Sequence, residues 1–326
     1  MLSTKSKLIG GLVGLLWFVS AAYAQEWPNQ PVTIVVPYPP GGAADIMARR
    51  LSERLATRWR QPVVVENRAG GNEIIGAISV IKARPDGYTL LFATEVGLET
   101  NAFLYSKLPY DPKLDFTPIT RVAEGPLVYV VRNDSPVRNM RELIAAAKDK
   151  PGTVSYGSSG AGGSMHLAVN WLGVVAGNVD FLHVPYKGAA PAVVDLLGGL
   201  LHFTAPPLSV VAPYIKDNRL RPIATTGAAR IRSLPEVPTL TELGYRDSVI
   251  QFMFALVGPA KLPPEIASRI AADVGAVMRD PEMQSRSLEP FGFVLAVETP
   301  AEFAQFLTAN QEKQRRRVKA ANVQLD

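Results

Sequence analysis

The first residues suited to chemistry are prolines and glycines that follow an apolar run. Residues 32–36 (VTIVV) have the length and β-branched composition of a buried strand. Pro37 to Pro40 cannot continue a sheet because proline lacks an N–H group, and Gly41-Gly42 follows them. A helix that begins there has unpaired N–H groups with partial positive charge, and bare glycines let a ligand approach them. The stretch suits an anion, and a rigid strand–helix turn is the structural alternative.

Loops of similar composition recur along the chain and supply backbone donors and small hydroxyls. They follow other apolar runs and contain Gly70-Gly71, Thr94, Ser158-Ser159, Gly162-Gly163 and Gly188. Fixed backbone amides of this kind hold carboxylates without needing a fully charged partner. The loops therefore predict binding of an anionic small molecule.

Catalytic chemistry has little support in the residue pattern. The nucleophile motif G-x-S-x-G fails because Ala161 stands two residues after Ser159, and the dinucleotide motif fails because Met165 stands three residues after Gly162. His166, in the first turn of a predicted helix, is interpreted as a neutral, hydrogen-bonded residue, and His183 as a packed strand residue. The histidines lack metal-site spacing, and the chain has 0 cysteines. These patterns favour binding over catalysis, with no cofactor and no metal.

The N-terminal residues predict export. Lys5 and Lys7 precede an apolar run at residues 8–22, and Ala22-Tyr23-Ala24 is a typical cleavage site. Residues 1–24 are therefore predicted to be a secretory signal peptide, with an uncleaved anchor as the alternative. Cleavage removes those two lysines and lowers the formal charge from +5 to +3, which gives no reason to expect nucleic acid. The basic run at residues 315–317 is interpreted as a solvated helix face.

The elements that position the loops follow an alternating strand–helix pattern. Met47, Leu51, Leu55 and Trp59 recur every four residues and predict a helix after Gly42. Further strands are predicted at 62–67, 89–94, 127–131, 154–156, 181–185, 201–205, 220–225 and 252–257. Further helices are predicted at 78–83, 139–148, 164–175, 191–197, 210–215, 264–278 and 300–318. The order predicts an α/β fold of two halves, with parallel strands, helices on both faces and a cleft at the strand ends.

Several motifs resemble one known family in sequence and in order. Residues 37–45 (PYPPGGAAD) match its P-Y-x-P-G-G-x-x-D signature. Further matches lie at residues 65–68 (VENR), 85–90 (PDGYTL), 108–112 (LPYDP), 156–160 (YGSSG) and 183–188 (HVPYKG). The chain thus resembles the Bug (Bordetella uptake gene) family, the periplasmic solute-binding proteins of tripartite tricarboxylate transporters.

The resemblance implies a type II periplasmic binding protein, with two α/β domains around a ligand cleft and two hinge crossings. Mapped onto this chain, domain one comprises residues 26–122 plus 252–326, and domain two comprises residues 123–251. A small organic carboxylate would lie between them. The candidate ligand-binding residues are Tyr38, Pro39, Pro40, Gly41, Gly42, Ala43, Asp45, Gly70, Gly71, Glu73, Thr94, Glu95, Ser158, Ser159, His166, Tyr186 and Gly188.

Departures from the family pattern bear on the ligand. Glu73 stands where glycine is common, Glu95 follows Thr94 where neutral residues are usual, and Pro206-Pro207 replaces a frequent Asp-Asn pair. With Asp45, these residues suggest an acidic end of the cleft and a ligand that carries an amine or another cation, or one that is not a di- or tricarboxylate. The alternative is that Glu73 and Glu95 point to solvent.

The expected function is a monomeric periplasmic receptor that delivers its ligand to membrane transporter subunits. A sensor that presents its closed form to a membrane signalling protein such as a sensor kinase is one alternative, because both functions depend on the closed surface. A secreted hydrolase is the other, and it predicts that Ser159→Ala abolishes turnover.

Overall fold

The structure, a computed structural model, describes residues 27–325. The predicted signal peptide, residues 1–24, lies outside the described residues. The strands are β1 Val32–Val36, β2 Val63–Asn67, β3 Thr89–Ala93, β4 Phe116–Pro126, β5 Val128–Arg132, β6 Ser155–Ser158, β7 Leu182–Pro185, β8 Phe203–Thr204, β9 Leu220–Thr225, β10 Gln251–Pro259 and β11 Val294–Leu295. The helices are α1 Ala43–Trp59, α2 Ile74–Ile81, α3 Asn101–Leu104, α4 Met140–Asp149, α5 Ser164–Val175, α6 Ala189–Leu197, α7 Leu208–Lys216, α8 Pro264–Met278, α9 Pro281–Met283 and α10 Pro300–Ala321.

The strands form two mixed sheets, each with helices packed against it. The first sheet has the order β11-β4-β10-β3-β1-β2, and the second has the order β7-β6-β8-β5-β9. Strands β1, β2 and β3 are parallel, as are β6, β7 and β8, in agreement with the predicted crossovers. The prediction is wrong for β10, which runs antiparallel to β3 and β4, and for β5, which runs antiparallel to β8 and β9.

The sequence analysis missed β4, the long strand beside β10. Its apolar pattern is broken by Arg121 and Glu124, whose charges are paired in the folded protein. The Arg121 guanidinium pairs with Glu124 at 3.0 Å and with Glu298 at 2.7 Å, and lies over the Phe306 ring. Charged residues in this strand are thus paired with each other and with a distant loop, which a local pattern cannot reveal.

The helix next to the first glycine loop forms as its pattern predicts. Met47, Leu51 and Leu55 are buried in the core of the first sheet, and Trp59 Nε1 donates to Asp273 at 2.8 Å. This burial fixes the start of α1, and therefore the loop before it, against β1.

Two chain crossings join the sheets at one buried threonine. The Thr226 hydroxyl accepts the Leu127 N–H at 2.9 Å and donates to the Ile250 carbonyl. The Thr226 N–H also donates to the Leu127 carbonyl at 3.0 Å. A single side chain thus bonds both connections between the domains.

The C-terminal helix α10 also contacts both sheets' elements. Arg317 is 6% exposed and donates to the Val249 carbonyl at 2.9 Å, so the interpretation of residues 315–317 as a solvated face is wrong for Arg317. Arg315 and Arg316 are exposed, as predicted. From residue 27 to residue 325, no helix has the length and apolar character needed to cross a membrane.

Candidate ligand-binding cleft

A cavity opens between the two sheets. Elements of the first sheet line one side, and loops of the second sheet line the other. The lining residues are Tyr38, Pro39, Pro40, Gly42, Ala43, Ala44, Thr94, Ser159, Ser164, Met165, Lys187, Gly188, Ala189, Ala190, Pro191, Pro207, Phe252 and Phe254.

Three helix N-termini meet at this cavity. Helices α1, α5 and α6 begin after Gly42, Gly163 and Gly188, and none of these glycines provides a side-chain cap. Helix α7, whose N-cap Pro207 also lines the cavity, has no side-chain cap, and neither do α2 and α8, whereas α4 is capped by Asn139 and α10 by Thr299. Unpaired N–H groups at a helix start carry partial positive charge and favour an anion. The exposed Lys187 adds a full positive charge at the same cavity.

Asp45 holds the first glycine loop in place. It accepts the Gly41 N–H at 3.0 Å and an Asn67 amide hydrogen at 2.9 Å, and Asn67 also donates to the Tyr38 carbonyl at 3.0 Å. Arg49 pairs with it at 2.9 Å. Burial opposes ionisation of Asp45, but the hydrogen bonds from Arg49, Gly41 and Asn67 outweigh it and lower its pKa. Asp45 therefore stays ionised behind the loop, where Arg49 balances its charge. It does not line the cavity.

Glu73 lies behind the hydroxyls of Tyr38 and Thr94. Tyr38 Oη donates to Glu73 Oε1 at 2.6 Å, Thr94 Oγ1 donates to the same oxygen, and the Thr94 N–H donates to Oε2 at 3.3 Å. Burial raises the pKa of Glu73 to about 7, against the opposing effect of these hydrogen bonds. Gly97 is required beside it, because a Cβ there would lie 2.5 Å from Glu73 Oε2.

Glu95 is buried close to Glu73. Its Oε2 accepts the Met253 N–H at 3.0 Å, and burial raises its pKa. The alternative that Glu73 and Glu95 point to solvent is wrong, since they are 1% and 4% exposed. Neither carboxylate lines the cavity.

The loop between β2 and α2 reaches across to the second sheet. Gly70, Gly71, Asn72 and Glu73 all have positive φ, which favours glycine and asparagine at the first three positions. Asn72 Nδ2 donates to the Ala161 carbonyl at 2.5 Å. Gly70 and Gly71 thus shape a contact between the two sheets and do not line the cavity.

The histidines near the cleft have structural partners. His166 Nδ1 accepts the Gly162 N–H at 2.8 Å, its Nε2 contacts Asn170 at 2.9 Å, and its ring stacks on His183 at 3.7 Å. His183 Nε2 contacts Ser158 Oγ at 2.6 Å. Burial, with His183 nearby, lowers the pKa of His166 to about 3, and burial lowers that of His183 to about 4. Both rings are therefore neutral near pH 7. Within residues 27–325, no group of three or more His, Cys, Asp or Glu residues is arranged to hold a metal.

The cleft brings together part of the predicted site. The predicted site residues that line the cavity are Tyr38, Pro39, Pro40, Gly42, Ala43, Thr94, Ser159 and Gly188. Those outside the wall are Gly41, Asp45, Gly70, Gly71, Glu73, Glu95, Ser158, His166 and Tyr186.

Sequence reasoning missed several lining residues. Ser164 and Lys187 are next to predicted loops, so their place at a helix start was a usable signal. Phe252 and Phe254 alternate along β10 and so face the same side of the sheet. That alternation predicts a strand, but it does not indicate which face of the sheet lines the cleft.

Two α/β domains around a cavity lined by helix N-termini define a periplasmic-binding-protein type of solute receptor. The family model described as the tripartite tricarboxylate transporter family receptor (TctC) matches residues 47–323, and the chain belongs to this family. The resemblance to Bug proteins is thereby confirmed. Protein BugT of Bordetella pertussis is 35% identical over 260 residues, which are 79% of each chain.

Solved structures share the fold. The R. palustris protein Rpa4515 with adipate matches with a TM-score of 0.87 at 31% identity, covering 91% of this chain and 99% of that one. The periplasmic binding protein BugD matches with a TM-score of 0.85 at 29% identity, with the same coverage. The predicted type II fold of two domains around a cleft is confirmed.

Proposed function

We propose that this chain is a receptor that binds the carboxylate of a small organic acid in the cleft described above. The observation that carries the proposal is the convergence of α1, α5 and α6, whose glycine N-caps leave their N–H groups without side-chain caps. These helices belong to both domains, so one carboxylate can bond to both and favour their closure. Lys187 strengthens the preference for an anion.

The related structure with adipate supports an organic acid of this size. That protein is 31% identical to this chain and aligns over 91% of it. The cavity wall also includes Phe252, Phe254 and Met165, which offer apolar surface to the methylene groups of such an acid.

The bound form is proposed to deliver its ligand to membrane transporter subunits, as the family description indicates. The proposal includes export to the periplasm by a cleaved signal peptide at residues 1–24 and action as a monomer. Domain one comprises residues 26–122 plus 252–326, and domain two residues 123–251. Strand β4 pairs with β10 as far as Pro126, which supports a first crossing at Leu127, a few residues after the proposed boundary at residue 122.

The hydrolase alternative has weaker support. Ser159 lines the cavity, but His166, His183 and His202 contact Gly162, Ser158 and Ser155. A general base must reach the nucleophile's proton to activate it. Ser159 thus has no histidine partner in the described part of the chain.

The test is native mass spectrometry of protein purified without refolding, followed by calorimetry with the co-purified compound. A bound carboxylate that is released unchanged and raises the free energy of unfolding by about 2.7 kcal/mol at a hundredfold excess over its Kd supports the receptor. Turnover of that compound, lost in Ser159→Ala, contradicts it and supports the hydrolase. Failure to find any carboxylate ligand also contradicts the proposal.

A further inference from the structure

Two hydroxyls at the cavity wall share one buried carboxylate behind them. Tyr38 Oη donates to Glu73 Oε1 at 2.6 Å, and Thr94 Oγ1 donates to the same oxygen. Tyr38 and Thr94 line the cavity, whereas Glu73 is 1% exposed and does not. Glu73 therefore affects a ligand only through these two hydroxyls, as a positioning residue.

The proton inventory decides what the wall presents to a ligand. A hydroxyl has one proton and two acceptor lone pairs. With Glu73 ionised, both hydroxyl protons are directed at Glu73, the Val96 N–H takes one lone pair of Thr94 Oγ1 at 3.2 Å, and Tyr38 Oη lies 3.3 Å from the same Thr94 oxygen. The remaining lone pairs of Tyr38 and Thr94 accept hydrogen bonds. A ligand carboxylate is acceptor-only and finds no donor there, whereas an ammonium or carboxamide N–H group finds an acceptor.

The buried charges have the same preference. Glu95 is 4% exposed, and its Oε1 has no hydrogen-bond partner among the described residues. Arg317, the cation that favours ionisation of Glu95, is also drawn to Glu99. The positive groups at the cavity are instead the helix starts and Lys187. Glu73 and Glu95, both behind the wall, thus oppose a second carboxylate placed against Tyr38 and Thr94.

From this geometry we infer that the cleft selects a monocarboxylate whose far end carries an amine or carboxamide, and discriminates against a dicarboxylate of equal length. The inference rests on the proposed function, since the helix starts must hold the single carboxylate. The far-end N–H group donates to Tyr38 and Thr94, and Glu73 keeps both hydroxyls oriented as acceptors.

Protonation of Glu73 reverses this orientation. A protonated Glu73 donates one hydrogen bond itself, which frees a Tyr38 or Thr94 proton for the ligand. Burial places the pKa of Glu73 at about 7, and the titratable groups that face it are Tyr38, Glu95 and Tyr110. Above that pH the Tyr38 and Thr94 hydroxyls only accept hydrogen bonds from a ligand, so discrimination against the dicarboxylate grows. Below that pH one of these hydroxyls can also donate a hydrogen bond to a ligand, so the discrimination falls.

The experiment measures Kd by calorimetry for three probes of equal length: adipate, its half-amide adipamate, and 6-aminohexanoate. About pH 6.5 and about pH 8.5 are suitable, because the probes keep one ionisation state between them. At the higher pH we expect adipamate or 6-aminohexanoate to bind about tenfold or more tightly than adipate, the consequence of one unsatisfied buried group. At the lower pH the ratio falls severalfold.

Two variants separate this role from a structural one. Glu73→Gln should remove the pH dependence of the affinity ratio. Glu99→Gln is the matched control, because Glu99 is also buried, also has a pKa of about 7, and contacts Asn310 and Gln314 away from the cleft. It should leave the ratio and its pH dependence unchanged. If Glu73→Gln does not fold, Tyr38→Phe replaces it and should lower the preference for adipamate.

The outcomes distinguish the two proposals. Adipate that binds as tightly as the other probes at the higher pH, or a ratio that is equal at both pH values, overturns this inference and leaves the receptor proposal standing. A pH dependence that Glu73→Gln and Glu99→Gln alter equally also overturns it. If no probe binds and no carboxylate co-purifies, both proposals are wrong.

Discussion

Substitution of Gly42 by aspartate should stabilise the protein while weakening its ligand binding. Gly42 is the N-cap of α1 and has φ −79° and ψ 169°, the extended geometry in which an aspartate side chain caps a helix. There is room for it, since a Cβ at Gly42 would have Pro39 O as its nearest neighbour, at 3.8 Å. The new carboxylate would take the N–H groups that are proposed to hold the ligand.

The magnitudes follow from this geometry. An aspartate at an N-cap raises the free energy of unfolding by about 1 kcal/mol relative to alanine. Relative to glycine, the gain is a few tenths of a kcal/mol from capping plus about 0.3–1 kcal/mol from the interaction of its charge with the helix dipole. A ligand carboxylate about 4 Å from the new charge meets a repulsion of up to roughly 4 kcal/mol at an effective dielectric constant near 20. Partial solvation reduces this value, so we expect a loss of affinity of about a hundredfold or more.

The assay combines urea denaturation without ligand and calorimetry with the tightest-binding of the three probes. Gly42→Ala controls for the added Cβ, and Gly42→Ser for capping without charge. The expected order of stability is Asp above Gly above Ala, and the expected order of affinity places Asp last. Retention of wild-type affinity in Gly42→Asp would refute the assignment of the α1 N-terminus as the anion site, and a loss of stability would refute the capping geometry.

Three further predictions concern the scaffold around the cleft. His166 and His183 have folded-state pKa values of about 3 and about 4, below the ordinary value of about 6.5, so the contribution of each ring is intact above pH 6.5 and is lost as pH falls; between about pH 6.5 and pH 4, denaturation should show a loss of about 1.4 kcal/mol per pH unit for each ring, and His166→Asn should remove the part due to His166. An unchanged slope in that variant would contradict the role of the buried ring. Thr226→Val leaves the Leu127 N–H and the Ile250 carbonyl without their partner, and should lower the free energy of unfolding by about 2 kcal/mol or more, with Thr226→Ser close to wild type. Equal effects of Val and Ser would show that the hydroxyl is not responsible. Asn72→Gly removes the bond to the Ala161 carbonyl while tolerating φ 53°, and should raise the ligand dissociation rate about fivefold in stopped-flow experiments; an unchanged rate would mean that this contact does not hold the closed form.

Much of the local structure was predictable from sequence because it depends on neighbouring residues. The apolar stripe from Met47 to Trp59 gave α1, and helices 164–175 and 264–278 match the structure at both ends. The segment at residues 96–104, by contrast, was not predicted as helical. Its buried Glu99 accepts a hydrogen bond from Asn310 of α10, a partner 211 positions away in the sequence that a local pattern cannot indicate.

The loops of the candidate site were predictable from the sequence. Which of their residues line the cavity and which lie behind its wall was not. Asp45, Glu73 and Glu95 were grouped by their charge as an acidic end of the cleft. The fold separates them: Arg49 neutralises Asp45, Glu73 lies behind two hydroxyls, and Glu95 bonds to the β10 backbone. Their partners lie in other segments of the chain, so spacing alone could not assign these roles.

The sequence by itself determined the strand–loop–helix units, the family and the glycine loops that leave helix starts uncapped, since these depend on residues within a few positions of each other. Tertiary structure decided which helix starts meet at one cavity and which carboxylates stay behind its wall. It also decided the antiparallel course of β10 and the burial of Arg317. The physical reason is that burial and hydrogen bonding over long sequence separations set a group's charge state and its orientation, and a local pattern records neither.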